Sequence, residues 1–179
     1  MPNTSKTTAF NSLLSPSIFR ILEVVNISDL DFNPNLKFGY RQRTELEPDL
    51  KEAIDKIKKA NHIVWIFPLW WAGLPALMKG FIYRTFLPGI TYDFVEGKSI
   101  PIGLLKGKTS RLIITTDTSK WYDYIFMKRP ILKQFKKGTL EYCGIKSVGV
   151  TYISPIISSS LDIRKKWLIK IMRLGEKLK

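Results

Sequence analysis

Histidine and cysteine each occur once in this 179-residue chain, as His62 and Cys143. A single thiol excludes an internal disulfide framework and fits a reducing compartment, so the expected location is cytoplasmic. One histidine and one cysteine leave no ligand set for a structural zinc site, and no metal is expected. No apolar run approaches the ~20 residues of a membrane span, and the N-terminus shows no apolar signal-peptide core. Acidic side chains are scarce too: 15 against 29 Lys and Arg, a net charge of +14. The cations gather late, at Lys128-Arg129, Lys133, Lys136-Lys137 and from Arg164 to Lys179. Such an excess attracts nucleic acid, acidic membrane surfaces or anionic dinucleotides. No nucleic-acid motif accompanies it, so nucleic acid is not an expected partner. Solvated helix faces account for the charge most simply, with membrane-surface contact as a lesser alternative.

What is present is a regular alternation of strand and helix signals over 45% apolar residues, the pattern of a parallel sheet covered on both faces. Residues 21–27 read as a strand and 31–43 as a polar connection. Pro48 to Ala60 carries Leu50, Ile54 and Ile57 at helical spacing. Ile63 to Phe67 is a short apolar run that reads as a buried parallel strand ended by Pro68, which has no N–H for the ladder. Pro75 suits the first turn of a helix over 75–86. A long loop over 88–101 follows, then a strand over 111–116. The pattern predicts a helix over 130–142 stopped at Gly144, and a strand over 146–153. A last helix capped by Ser158 to Ser160 carries Trp167, Leu168, Ile171, Leu174 and Leu178 as its buried stripe. No repeat or linker interrupts residues 1–179, so one domain is expected, an α/β doubly wound parallel sheet.

In open α/β sheets, ligands bind beyond the carboxyl ends of the strands. Two such ends are marked here. Pro68, Leu69, Trp70, Trp71 and Ala72 follow the first strong strand and place two tryptophans where little else would cover them. Thr115, Thr116, Asp117 and Thr118 follow the next, with hydroxyls and amides at the strand exit. The bland readings are packing tryptophans and an ordinary turn. His62 stands at the other end of its strand and reads as structural. Cys143 reads as a small buried residue and Arg164 and Lys165 as a solvated helix face.

The stretch Pro68-Leu-Trp-Trp-Ala-Gly-Leu-Pro-Ala-Leu-Met-Lys-Gly80 resembles the flavin-contacting segment of the NAD(P)H:quinone oxidoreductases. Pro88-Gly-Ile-Thr-Tyr92, Thr115-Thr-Asp-Thr118, Trp121-Tyr122, Lys137-Gly-Thr-Leu-Glu-Tyr-Cys-Gly-Ile145 and Arg164-Lys-Lys-Trp167 agree in order and spacing. The resemblance spans Asp31 to Gly175. It implies a flavodoxin-like fold, bound FAD or FMN, NADH or NADPH as donor, a quinone-like acceptor, a ping-pong sequence and a homodimer. It also implies that Pro68 to Ala72 lie against the flavin ring and that Thr115 to Thr118 reach its other side. In the same way, Trp121, Tyr122 and Tyr124 would form the nicotinamide or acceptor pocket, bordered by Tyr92, Asp93 and Phe94. The family often has glycine where Asp117 and Thr118 stand. Thr4, Thr8, Phe10 and Asn11 resemble its phosphate-binding turn, yet no strand precedes them, so the usual first strand is absent from the expected sheet. That absence supports a second reading, a flavodoxin-like partner-binding module without flavin.

Overall fold

The computed structural model describes residues 21–97 and 99–177. Thr4, Thr8, Phe10 and Asn11 lie outside them, as does the start of the chain on which the expectation of a missing first strand rests. Helix α1 spans Pro48–Lys59, opened by Pro48 and buried through Leu50, Ala53, Ile54 and Ile57. Strand β1 (His62–Pro68) leads to α2 (Ala76–Thr85), and a short antiparallel pair β2 (Tyr92–Asp93) and β3 (Ile102–Gly103) follows. Then come β4 (Thr109–Thr115), α3 (Lys120–Ile125), a π-helix over Leu132–Glu141, β5 (Lys146–Ile153) and α4 (Leu161–Lys177).

The three long strands are parallel, in the order β1-β4-β5. Register sets Trp65 beside Leu112 and Val150, and Phe67 beside Ile114 and Tyr152. Strand side chains alternate between faces. These six therefore share one face, and the core cluster gathers there with residues of α1, α2 and the π-helix. Phe135 meets Trp65 and Phe67 edge-on at 5.3 and 5.8 Å between ring centres. On the other face Ile113 and Ile153 are buried, whereas Val64 and Ile66 are exposed.

Three expectations are corrected. Residues 21–26 form no strand, and Ile27–Asp29 is a single 3-10 turn. A strand needs a neighbour for its backbone groups, and none of the described strands runs beside this segment. The helix expected over 130–142 is largely a π-helix. At about 100° per residue an α-helix would put Ile131 and Leu140 on opposite sides. Hydrogen bonds spanning five residues lengthen the repeat to roughly 4.4 residues. That brings Ile131, Phe135 and Leu140, all buried, onto one side. The stripe of the last helix is also not buried as expected. Trp167, Ile171 and Leu174 are half-buried, Leu168 is exposed, and Leu178 lies outside the described residues.

The connection before α1 is tied down by one cation. Arg84 of α2, 1% exposed, donates to Glu47 Oε2 at 2.7 Å and Glu47 Oε1 at 3.2 Å. It also donates to the carbonyls of Asn33 and Glu45 at 2.5 and 2.7 Å. The Asn33 N–H donates to Glu47 Oε1 at 3.0 Å. Burial pushes the Glu47 carboxyl up, but the hydrogen bonds from Asn33 and the Arg84 guanidinium outweigh it and hold the carboxyl below its usual range. Nearby, Gly80 is in contact with Pro34, leaving no room for a side chain.

Candidate functional site

The parallel register brings three loops off the same sheet end. Pro68 pairs with Thr115, and Thr115 with Ile153. The Leu69 N–H donates to Thr115 O at 2.8 Å, and the Thr116 N–H to Ile153 O at 3.1 Å. Of the expected site residues, Pro68, Leu69, Thr115 and Thr116 are therefore brought together by backbone pairing alone.

Immediately beyond, Trp70 and Gly73 exchange two backbone hydrogen bonds, of 3.2 and 2.8 Å, closing a tight turn. Its two central residues, Trp71 and Ala72, have φ of 49° and 57°. Both lie in the left-handed region, which favours glycine and costs other residues of order 1 kcal/mol or more. Such strain is retained where surroundings or function demand it. The Trp71 side chain is fully exposed and Trp70 is 60% exposed, so neither is a packing residue. Among the described residues, no hydrogen bond engages the N–H of Trp71 or Ala72. The turn presents an indole and two free amides at the carboxyl edge of β1.

The loop after β4 is held by its own side chains. Thr116 Oγ1 accepts from the Thr118 N–H at 3.1 Å, and Ser154 Oγ donates to Thr118 O at 2.6 Å. Asp117 Oδ1 accepts from the N–H groups of Ile156 and Ile157 at 2.9 and 2.7 Å. Asp117 thus clamps the loop after β5 to the loop after β4. Neither Asp117 nor Thr118 has positive φ, so the backbone here does not require glycine.

Helix α3 rises from this loop with its aromatic residues outward. Trp121, Tyr122 and Phe126 form one exposed group, with Tyr122 stacked on Phe126 at 5.2 Å. Tyr124 stands apart from them and carries the Arg129 guanidinium 4.6 Å over its ring. Trp121, Tyr122 and Tyr124 are all exposed, so they are not a cluster buried against the 88–101 connection. Tyr92, Asp93 and Phe94 do not border this pocket within the chain. Phe94 packs edge-on with Tyr92, and Tyr92 with Tyr142, next to Cys143 and before the amino end of β5, at the opposite end of the sheet. Burial pushes the Tyr92 phenol up to about 12.

Several residues at this end were not singled out from sequence. Phe126 had a legible signal, four residues after Tyr122 on a helix. Asp123, 2% exposed, had none beyond its position between two outward tyrosines. Among the described residues, no well-aligned hydrogen bond reaches its Oδ2, Arg129 Nε or Tyr152 Oη, although the Asp123 carboxylate lies close enough to act on the Tyr152 phenol. Burial, then the Asp123 carboxylate, raises the Tyr152 phenol far above its ordinary range, while Arg129 partly offsets this. Lys128 and Arg129 also hold positive φ, of 54° and 49°, in the turn that folds Arg129 back toward α3.

The residues set aside as structural behave so. His62 Nδ1 is 2.7 Å from Thr109 Oγ1 at the amino end of the strands, and burial lowers its pKa. Burial pushes the Cys143 thiol up, which disfavours the nucleophilic thiolate. No group of three or more His, Cys, Asp or Glu among the described residues could hold a metal ion.

Comparison with known proteins agrees with this fold. A family model described as flavodoxin-like fold matches residues 10–169. An NAD(P)H oxidoreductase of Haemophilus influenzae is 30% identical over 127 residues, which are 69% of this chain and 62% of that protein. Human ribosyldihydronicotinamide dehydrogenase [quinone] is 33% identical over 129 residues, 70% of this chain and 52% of that enzyme. The chain thus spans 62% and 52% of the lengths of these curated relatives. Among solved structures, Smu.1420 from Streptococcus mutans UA159 superposes with a TM-score of 0.78 and 25% identity, covering 99% of this chain and 95% of that one. An FMN-dependent NADH-azoreductase from Bacillus anthracis, in complex with FMN, gives 0.70 with 17% identity over 96% of this chain and 87% of its own. At that identity the likeness speaks to the fold alone.

Proposed function

This chain belongs to the flavodoxin-like fold family and, within it, to the NAD(P)H:quinone oxidoreductases, and from that premise we propose that it is a flavin-dependent NAD(P)H oxidoreductase reducing quinones or similar acceptors. The observation that carries the reading is the strained turn at Trp71 and Ala72, with its exposed indole and free amides at the carboxyl edge of the sheet. These residues fit a planar, hydrogen-bonding ring: the indole offers a stacking face, and the two N–H groups are donors without partners among the described residues. A bound flavin supplies two-electron hydride chemistry, and the protein's task is to orient and tune it.

In this reading Pro68 to Ala72 bind one side of the ring and Thr115 to Thr118 the other. Their positions are set by the Leu69–Thr115 pairing and the Asp117 clamp. Thr4, Thr8, Phe10 and Asn11, outside the described residues, hold the cofactor phosphate. Trp121 and Tyr122, with Phe126, provide an exposed aromatic surface on which a nicotinamide or a quinone binds in turn, the ping-pong order. Tyr124 and Arg129 flank that surface, and Asp123 orients the turn beneath it through its backbone carbonyl, which accepts from the Arg129 N–H at 3.0 Å. The cofactor is FMN or FAD, and each is loaded in turn. A homodimer closes the pocket, and the lone thiol fits a cytoplasmic setting. Initial rates with added FMN or FAD, NADH or NADPH, and a soluble quinone test the proposal. Parallel double-reciprocal lines are expected. Absence of turnover with either flavin in folded protein would overturn it.

A further inference from the structure

Among the described residues nothing covers the outward side of α4, and the proposed reaction does not use it. Leu161, Leu168 and Met172 are 74%, 62% and 48% exposed. At about 100° per residue they fall within roughly 40° of one another around the helix. The half-buried Trp167, Ile171 and Leu174 cluster about a quarter to a third of a turn away. The helix therefore carries two apolar stripes, one toward the protein and one toward solvent. Between Leu161 and Lys177 it bears six cations, Arg164, Lys165, Lys166, Lys170, Arg173 and Lys177, against Asp162 and Glu176. Lys165 lies at the edge of the solvent-facing stripe, and Lys166 and Arg173 lie about a third of a turn from its centre, beyond Ile169, which is 48% exposed. Long cationic side chains of this kind lay their stems on apolar surface and carry the charge outward.

Charge decides among the occupants. A second copy would bring the same cationic helix against this one, in a chain whose net charge is +14, and like charges oppose that pairing. Nucleic acid would take the cations and leave the leucine–methionine stripe in water. A surface that is apolar below and anionic above takes both, as interfacial helices do. We propose that α4 rests on anionic lipid membranes, with Leu161, Leu168 and Met172 entering the headgroup layer and Lys165, Lys166 and Arg173 reaching lipid phosphates. No helix among the described residues is long and apolar enough to cross the membrane, so the contact is peripheral.

Co-sedimentation of the full chain with vesicles tests this. Vesicles of phosphatidylcholine with about one third phosphatidylglycerol should retain the protein at least tenfold better than phosphatidylcholine alone, and about 0.5 M NaCl should abolish the difference. Leu168→Glu with Met172→Glu should lower retention on anionic vesicles about tenfold without changing the circular dichroism, because both side chains are exposed. Lys166→Glu with Arg173→Glu, which spares the apolar stripe, should do the same. Equal retention on both vesicle types would overturn the proposal. So would unchanged retention in the apolar variant, or a dimer that the apolar variant converts to monomer.

Discussion

Replacing Trp71 by glycine separates a functional residue from a structural one. The side chain is fully exposed, so its removal forfeits no burial. Its φ of 49° is left-handed. Glycine relieves about 1–2 kcal/mol there, offset by about 0.5–1 kcal/mol of extra chain entropy in the unfolded state. The net effect lies between zero and about 1.5 kcal/mol of stabilisation, a rise in Tm of at most roughly 6 °C for a chain of this size. Flavin binding should respond in the opposite sense. Covering one indole face removes about half of the 150–250 Å² an aromatic side chain buries. At ~25 cal/mol/Å² that is about 2.5 kcal/mol, or roughly 60-fold in Kd. Thermal melting and quenching of FMN fluorescence on titration measure the two quantities on one sample. A Tm lowered by more than about 4 °C would show that Trp71 supports the fold. An unchanged Kd would remove the turn from the site and refute the reasoning.

Arg84→Met leaves Glu47 and the carbonyls of Asn33 and Glu45 without their donor and should destabilise by about 3–5 kcal/mol in denaturant unfolding. The same pair gives a pH dependence: the Glu47 carboxyl is held below its unfolded value, so its contribution is complete above the unfolded pKa and is lost as pH falls through the folded one. Denaturation curves across the acid range should show that loss, and Glu47→Gln should remove that part of the slope. Gly103→Ala places a methyl against the backbone of Cys143 and Gly144 and should cost at least about 2 kcal/mol, read as a lowered Tm. Asp117→Ala removes the acceptor of the Ile156 and Ile157 N–H groups, so hydrogen exchange in residues 154–160 should accelerate while exchange in β4 stays slow.

The parallel strands were legible because each is a short apolar run with a polar or proline boundary, and their ends fell within two residues of those expected. The carboxyl-end loops were legible for the same reason: once β1 and β4 are placed, Trp70, Trp71, Thr115 and Thr116 follow by topology. The π-helix was missed because the 130–142 segment was read at a 3.6-residue period, although Ile131, Phe135 and Leu140 stand at spacings of four and five. Residues 21–27 have strand-forming side chains, but pairing is a tertiary property that a local pattern does not carry. The same holds for the grip of Arg84 on residues 33–47 and for the group of Asp123, Arg129 and Tyr152. The left-handed turn at Trp71 and Ala72 contradicts local preference outright. Such conflicts collect at functional sites, where strain serves something other than stability.

The central claim, a flavin site at the carboxyl ends of β1 and β4, is tested most directly by a visible absorption spectrum of the purified chain after incubation with FMN or FAD and desalting. The account predicts a retained flavin band, bleached by NADH or NADPH and restored by a quinone. A folded protein that emerges colourless after both incubations would contradict it.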